Sequence, residues 1–165
     1  MNKKNFKKLL GFTLVEIVMV LVIVGILSAT AVPRFFSVST YQAGVFHDEI
    51  LNSIRYARKL AVATGNHYQM SVTATTFTIQ QRTEGTACNT GTTFQTIPDP
   101  ANRASGYVKT APGSITMTYS ADWPIYFDGL GQASSASNCA VVVSDTISVS
   151  GANTITLIGE TGFAK

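Results

Sequence analysis

The chain has 165 residues, of which 45% are hydrophobic and only 13% charged, so a disordered tail or an acidic linker is excluded as its main content. The length suits one domain with a sizeable core. The formal charge of +3 is no footprint for a polyanion: Lys3, Lys4, Lys7 and Lys8 lie in the first ten residues, and from Phe12 onward 8 Lys/Arg face 9 Asp/Glu, a net of −1. Nucleic acid is not an expected partner.

The lysines are followed by an apolar run from Phe12 to Val32, 21 residues broken only by Thr13, Glu16, Gly25, Ser28, Thr30 and small residues. As a helix it would reach about 30 Å, the thickness of a bilayer core. Four lysines before it and only Arg34 just after it place the N-terminus in the cytoplasm. Three fates fit such a segment: a plain signal anchor, a secretory signal cut after Ala29-Thr30-Ala31, or a leader ending at Gly11 that leaves the helix on the mature chain. Glu16 bears on the choice. A carboxylate inside an apolar stretch costs about 2.5–3.5 kcal/mol on insertion scales, and a routine signal peptide gains nothing from it.

Gly11-Phe12-Thr13-Leu14-Val15-Glu16, after a Lys-rich leader and before a long apolar helix, resembles the class III signal of type IV pilins and pseudopilins. The resemblance implies cleavage between Gly11 and Phe12 by a prepilin peptidase, methylation of the new Phe12 amine, and Glu16 as the fifth mature residue. It implies as partners other pilin subunits, the peptidase, the inner-membrane assembly platform and the membrane. The expected location is the inner membrane as a single-pass precursor with a periplasmic head, then a cell-surface pilus.

A physical reason for these residue types stands beside the resemblance. Gly11 lets a peptidase approach the backbone closely. Cutting there removes the lysines and frees an α-amine, which Glu16 of a neighbouring subunit can pair. Each charge is costly alone in a dry environment, so pairing favours one axial register.

A helical stripe continues past the apolar run: Phe46, Ile50, Ile54, Ala57 and Ala61 recur at three- and four-residue spacing, with Asp48, Glu49, Asn52, Arg55 and Arg58 largely off it. Gly65-Asn66 is a C-terminal stop. A helix from Phe12 to Thr64 would be about 80 Å long, kinked at Pro33, with Gly25 a second weak point. Arg55, Arg58 and Lys59 are expected to form a solvated face.

After Asn66 the pattern changes to period two. Strands are expected at Tyr68–Val72, Thr76–Gln80, Ile115–Tyr119, Ile125–Phe127, Ala140–Val143, Ile147–Val149 and Ile155–Ile158, with a tight turn at Asp128-Gly129. The fold class is α+β: a long helix whose stripe is covered by an antiparallel sheet, as in the pilin fold. The expected divisions are a leader at 1–11, a transmembrane or filament-core half-helix at 12–33, an amphipathic half-helix at 34–65 and a β-rich head at 66–165.

Tyr126-Phe127-Asp128-Gly129-Leu130-Gly131 and Gly159-Glu160-Thr161-Gly162-Phe163 resemble minor pilins, including the H-type pseudopilins of type II secretion, though both also read as hairpin turns. Pro33-Arg34-Phe35-Phe36 and the 43–65 segment look closest to a minor pilin of the mannose-sensitive haemagglutinin pilus. Cys88 and Cys139, 51 positions apart, are expected to form a disulfide outside the cytoplasm, with two buried thiols as the alternative. The segment from Gln81 to Gly106, rich in Thr, Gly, Asn and Pro, is the best candidate for a partner surface if it is not an ordinary loop.

No catalytic constellation emerges. His47 and His67 lie 20 positions apart without nearby Cys or paired carboxylates, so no metal or cofactor is expected, and no nucleophile elbow or phosphate loop is present. Trp123, Tyr126 and Phe127 read as core or sheet residues. The expected role is a structural minor subunit of a type IV pilus. The alternatives are a type II secretion pseudopilin, a tip adhesin, a DNA-uptake minor pilin and a released periplasmic protein.

Overall fold

A computed structural model describes residues 11–35, 37–84, 93–135, 140–142 and 144–165, with the side chains of all of these except 30–37. The chain divides into two units, Met1–Val38 and Ser39–Lys165.

The first unit is built on helix α1, Leu14–Phe35. Thr13 caps it: its hydroxyl accepts the Glu16 amide at 3.3 Å and its carbonyl accepts the same amide at 3.1 Å. Gly25 sits within the helix without interrupting it. Ser28 returns its hydroxyl to the Val24 carbonyl at 2.7 Å, so no donor is left facing outward. Pro33, where a kink is expected, falls inside the last turn of α1, which runs on to Phe35; the next residue, Phe36, lies outside the described residues.

In the second unit helix α2, Ser37–Thr64, supplies the inner wall of the head. Ala43, Phe46, Ile50, Ile54, Ala57 and Ala61 are all buried, the expected stripe extended one turn back to Ala43. The helix ends at Gly65, whose φ of 69° is the left-handed stop that the sequence called for.

Among the described residues ten short strands follow: β1 Tyr68–Val72, β2 Thr76–Glu84, β3 Thr93–Thr96, β4 Val108–Thr110, β5 Met117–Tyr119, β6 Ile125–Phe127, β7 Ala133–Ser135, β8 Ser144–Val149, β9 Thr154–Ile158 and β10 Phe163–Ala164. They form two antiparallel sheets instead of one. The larger runs β3-β2-β1-β6-β7, with β4 also on β2, and the smaller runs β10-β9-β8-β5. β4 and β3 share the outer edge of β2, at Thr76–Thr78 and Gln80–Glu84 respectively.

Alternation decides which side chains face the helix. Met70, Phe77, Ile79, Ile125 and Phe127 of the larger sheet and Ile147, Ile155 and Leu157 of the smaller one are fully enclosed in one core. Phe46 meets Phe77 with ring centroids 5.8 Å apart. Trp123 is buried, as expected, and Tyr126 points to the opposite face of its sheet, where it meets Phe94 at 5.4 Å.

Three expectations change. Ala140–Val143 is not a strand among its described residues; Val141 makes only a single bridge to Ser134. The Gln81–Gly106 segment is largely ordered: β2 runs on to Glu84, β3 returns along it, and Pro98 bridges Gly106. Its polar alternation hides strands whose two faces are both half-exposed. Arg55 and Arg58 do not simply face solvent. Arg55 donates to the Ala164 carbonyl at 3.1 Å and Arg58 to the Gly131 carbonyl at 3.3 Å, so both tie the helix to the late turns of the head.

Glycines make that seam possible. Gly162, at φ 60°, lies against the Arg58 stem and so close to the Gly131 carbonyl that a Cβ there would collide with it. Gly159 leaves no room for a Cβ beside the Val142 carbonyl, and its own carbonyl accepts the Ala133 amide at 2.7 Å, joining the two sheets.

Candidate functional site

Two regions concentrate unusual chemistry. In the first unit, Phe12, Leu14, Val15, Ile17, Val18 and every large apolar side chain on to Leu27 is exposed, Phe12 at 78%. A helix apolar on all sides is normally covered by lipid or by other protein. Among the described residues, no helix is long and apolar enough to cross a membrane. The described side chains of α1 run from Leu14 to Ala29, about 24 Å against a bilayer core of about 30 Å.

Glu16 is the only charge among those side chains. Thr13-Leu14-Val15-Glu16 has the spacing of a capping box, a signal that the sequence reading missed. Only one arm of the box is made, the Thr13 hydroxyl on the Glu16 amide. The Glu16 carboxylate has no ion pair among the described residues and lies in a shallow apolar groove with Phe12, Ile17, Val20 and Leu21. Phe12 and Glu16 therefore share one face, while Gly11 is exposed ahead of the helix. The acid in the first turn complements the positive end of the helix dipole and remains open to a second cation.

The second region is in the head. Lys109 of β4 lies 2.8 Å from Asp99 and 3.6 Å from Glu49 of α2, with its ammonium 5.4 Å from the centre of the Tyr107 ring. The Lys109 hydrogen bond, helped by the Ala101 amide, holds the Asp99 carboxyl below its usual range, and the same bond raises Lys109. Next to it, the buried Ser53 hydroxyl meets the Tyr107 hydroxyl at 2.9 Å, and Tyr56 stacks on Tyr107 at 5.9 Å. These contacts fasten the 97–109 segment to the helix.

Beside the fastening, a groove of about 470 Å³ opens between the C-terminal half of α2, the starts of β1 and β3's return loop. Tyr56 and Leu60 of α2 line it together with the cross-strand pair Tyr68 and Gln81 and with Ile97, Pro98, Asp99, Pro100 and Arg103. Gln81 and the last five belong to the segment singled out from sequence as a partner surface. Burial, with Tyr107, Tyr68 and Asp99 close by, raises the Tyr56 hydroxyl above its usual value.

Among the described residues His47 makes its polar contact with Asp48, at 3.1 Å, and His67 lies elsewhere, near Arg82 and Asp128. Among the described residues no three metal-ligating side chains come together. The Lys-rich leader and both Cys88 and Cys139 lie outside the described residues.

Comparison with known proteins gives one family match, the prokaryotic N-terminal methylation motif, over residues 7–32. No curated protein and no solved structure matches the chain. The matched stretch contains Gly11, Phe12 and Glu16, and it supports a type IV pilin-like or pseudopilin protein, a structural subunit that assembles with other pilins after processing by a prepilin peptidase.

Proposed function

We propose that the chain is a minor pilin of a type IV pilus of the mannose-sensitive haemagglutinin kind, supporting filament assembly. Residues 1–11 are the leader, 12–33 the membrane and filament-core half-helix, 34–65 the amphipathic half-helix and 66–165 the head. After cleavage at Gly11, the methylated Phe12 amine of one subunit pairs with Glu16 of a neighbour while their apolar helices pack together. One observation carries this reading: an exposed carboxylate without an ion-pair partner among the described residues, the only charge among the described side chains of α1. A charge so placed is stabilised by an opposite charge brought by the surface that covers it. In the head, Cys88 and Cys139 close a disulfide.

The test is Glu16→Ala in cells. Processing and membrane insertion are expected to stay normal while the variant disappears from sheared filaments. Its normal incorporation would refute the pairing. N-terminal sequencing of the mature chain is expected to begin at Phe12; a start at Val32 would indicate a released periplasmic protein.

A second reading, a receptor-binding module at the filament tip, is favoured by the groove beside the 97–103 loop. Filling that groove by Pro98→Trp is expected to lower attachment with filament number unchanged. Loss of the filaments themselves would return the segment to an assembly role.

A further inference from the structure

We infer that the groove between α2 and the 97–103 loop binds a small organic carboxylate with an apolar body. The inference concerns what the chain binds and holds whether or not the groove serves attachment.

Pairing decides the charge. Two charged side chains line the groove, Asp99 and Arg103. Asp99 is already held: the Lys109 ammonium lies 2.8 Å from Oδ2, and the Ala101 amide donates to Oδ1 at 2.9 Å. Glu49 approaches the same ammonium at 3.6 Å but stands outside the lining. Arg103 is exposed and makes no hydrogen bond or ion pair among the described residues, so the lining keeps one unanswered positive charge. A guanidinium fork left free in this way takes a carboxylate in two parallel hydrogen bonds.

Two further side chains extend the same preference. Among the described residues the Tyr56 hydroxyl and the Gln81 amide also make no hydrogen bond. Burial keeps the Tyr56 phenol protonated, so it can donate, as can the Gln81 NH2. The lining thus offers three donors and no free carboxylate, a set that suits an acceptor-only anion.

The body follows from what remains. Leu60, Ile97, Pro98, Pro100 and the Tyr68 ring are apolar, and the space of about 470 Å³ lies in the range of small-molecule sites, far beyond what a bare anion fills. One cation matches a monoanion, whereas a neutral sugar would leave the guanidinium unanswered. An extended peptide would need an open strand edge. Here the amides of Ile97, Asp99 and Ala101 are satisfied by the Ile79 carbonyl, the Ser105 carbonyl and the Asp99 carboxylate, at 3.1, 2.9 and 2.9 Å.

The test titrates hippurate and 4-methylvalerate, one aromatic and one aliphatic acid, into the full chain in a zwitterionic detergent. Binding is read by NMR at the Gln81 side-chain amide and the Ile97 and Asn102 backbone amides. The corresponding primary amides keep the body without the charge, glycolate keeps the charge without the body, and lactose is the neutral-sugar arm. At least one of the two acids is expected to saturate these signals, with the amides, glycolate and lactose each about tenfold weaker or more. Arg103→Ala should weaken the acid about tenfold or more with the thermal midpoint unchanged, and Arg103→Lys should recover part of the loss. No saturation by either acid, equal binding of the amides, binding of lactose alone, or full affinity in Arg103→Ala would overturn the inference.

Discussion

Single residues in the head set its response to acid. His67 has its imidazole value lowered, chiefly by burial and then by Arg82, and its buried Nδ1 has no hydrogen-bond partner among the described residues. The unfolded chain thus takes up a proton more readily than the folded one, and stability erodes as the pH falls below about 6.5. Asp99 is lowered by Lys109, so its contribution is intact above about pH 3.9 and is lost as the pH drops through its depressed value. Thermal midpoints followed by circular dichroism are expected to fall in two steps; His67→Gln removes the earlier step and Asp99→Asn the later. The Ser53–Tyr107 bond is a buried pair, so Ser53→Ala and Tyr107→Phe should each cost about 1–2 kcal/mol in urea melts and the double variant less than their sum. At Gly162 both the left-handed φ and the Gly131 carbonyl oppose a side chain, and Gly162→Ala should cost about 2 kcal/mol or more.

At the scale of elements, α2 is the organiser. Phe46 fills the space between helix and β2, and Phe46→Ala is expected to cost about 3–5 kcal/mol by denaturant unfolding. This helix was the most legible element in the sequence, because its stripe repeats over five turns and every member is buried. β1 and β9 were legible for the same reason at period two, and β6 through its β-branched and aromatic run Ile125-Tyr126-Phe127. β4, β7 and β10 were not: Val108-Lys109-Thr110, Ala133-Ser134-Ser135 and Phe163-Ala164 are two or three residues each, too short for alternation to register, and distant strands hold them in place. The division into two sheets was equally hidden, since it rests on pairings between strands far apart in the chain, such as β1 with β6 and β5 with β8. Of the candidate regions, the N-terminal motif could be read residue by residue, whereas the groove could not. Its 81–106 wall was visible, but Tyr56 and Leu60 lay concealed in an ordinary helical pattern.

For the whole molecule, the contrast lies between a head that encloses a large apolar core, with only scattered apolar residues such as Leu130 exposed, and a helix whose described large apolar side chains are all exposed. The full chain is accordingly expected to need detergent to remain monodisperse, while a chain beginning at Ser39 should sediment as a monomer. Replacing Val18 and Val22 of the full chain by Asp should shift it measurably toward the monomer in the same experiment.

The shared flank of β2 has a consequence for subunits packed at high local density. A nine-residue strand left bare would be a template on which foreign chains could crystallise into fibrils. Covering it with two separate stubs, of four and three residues, leaves only stunted borders in its place. The head is thereby insulated from runaway edge-to-edge stacking.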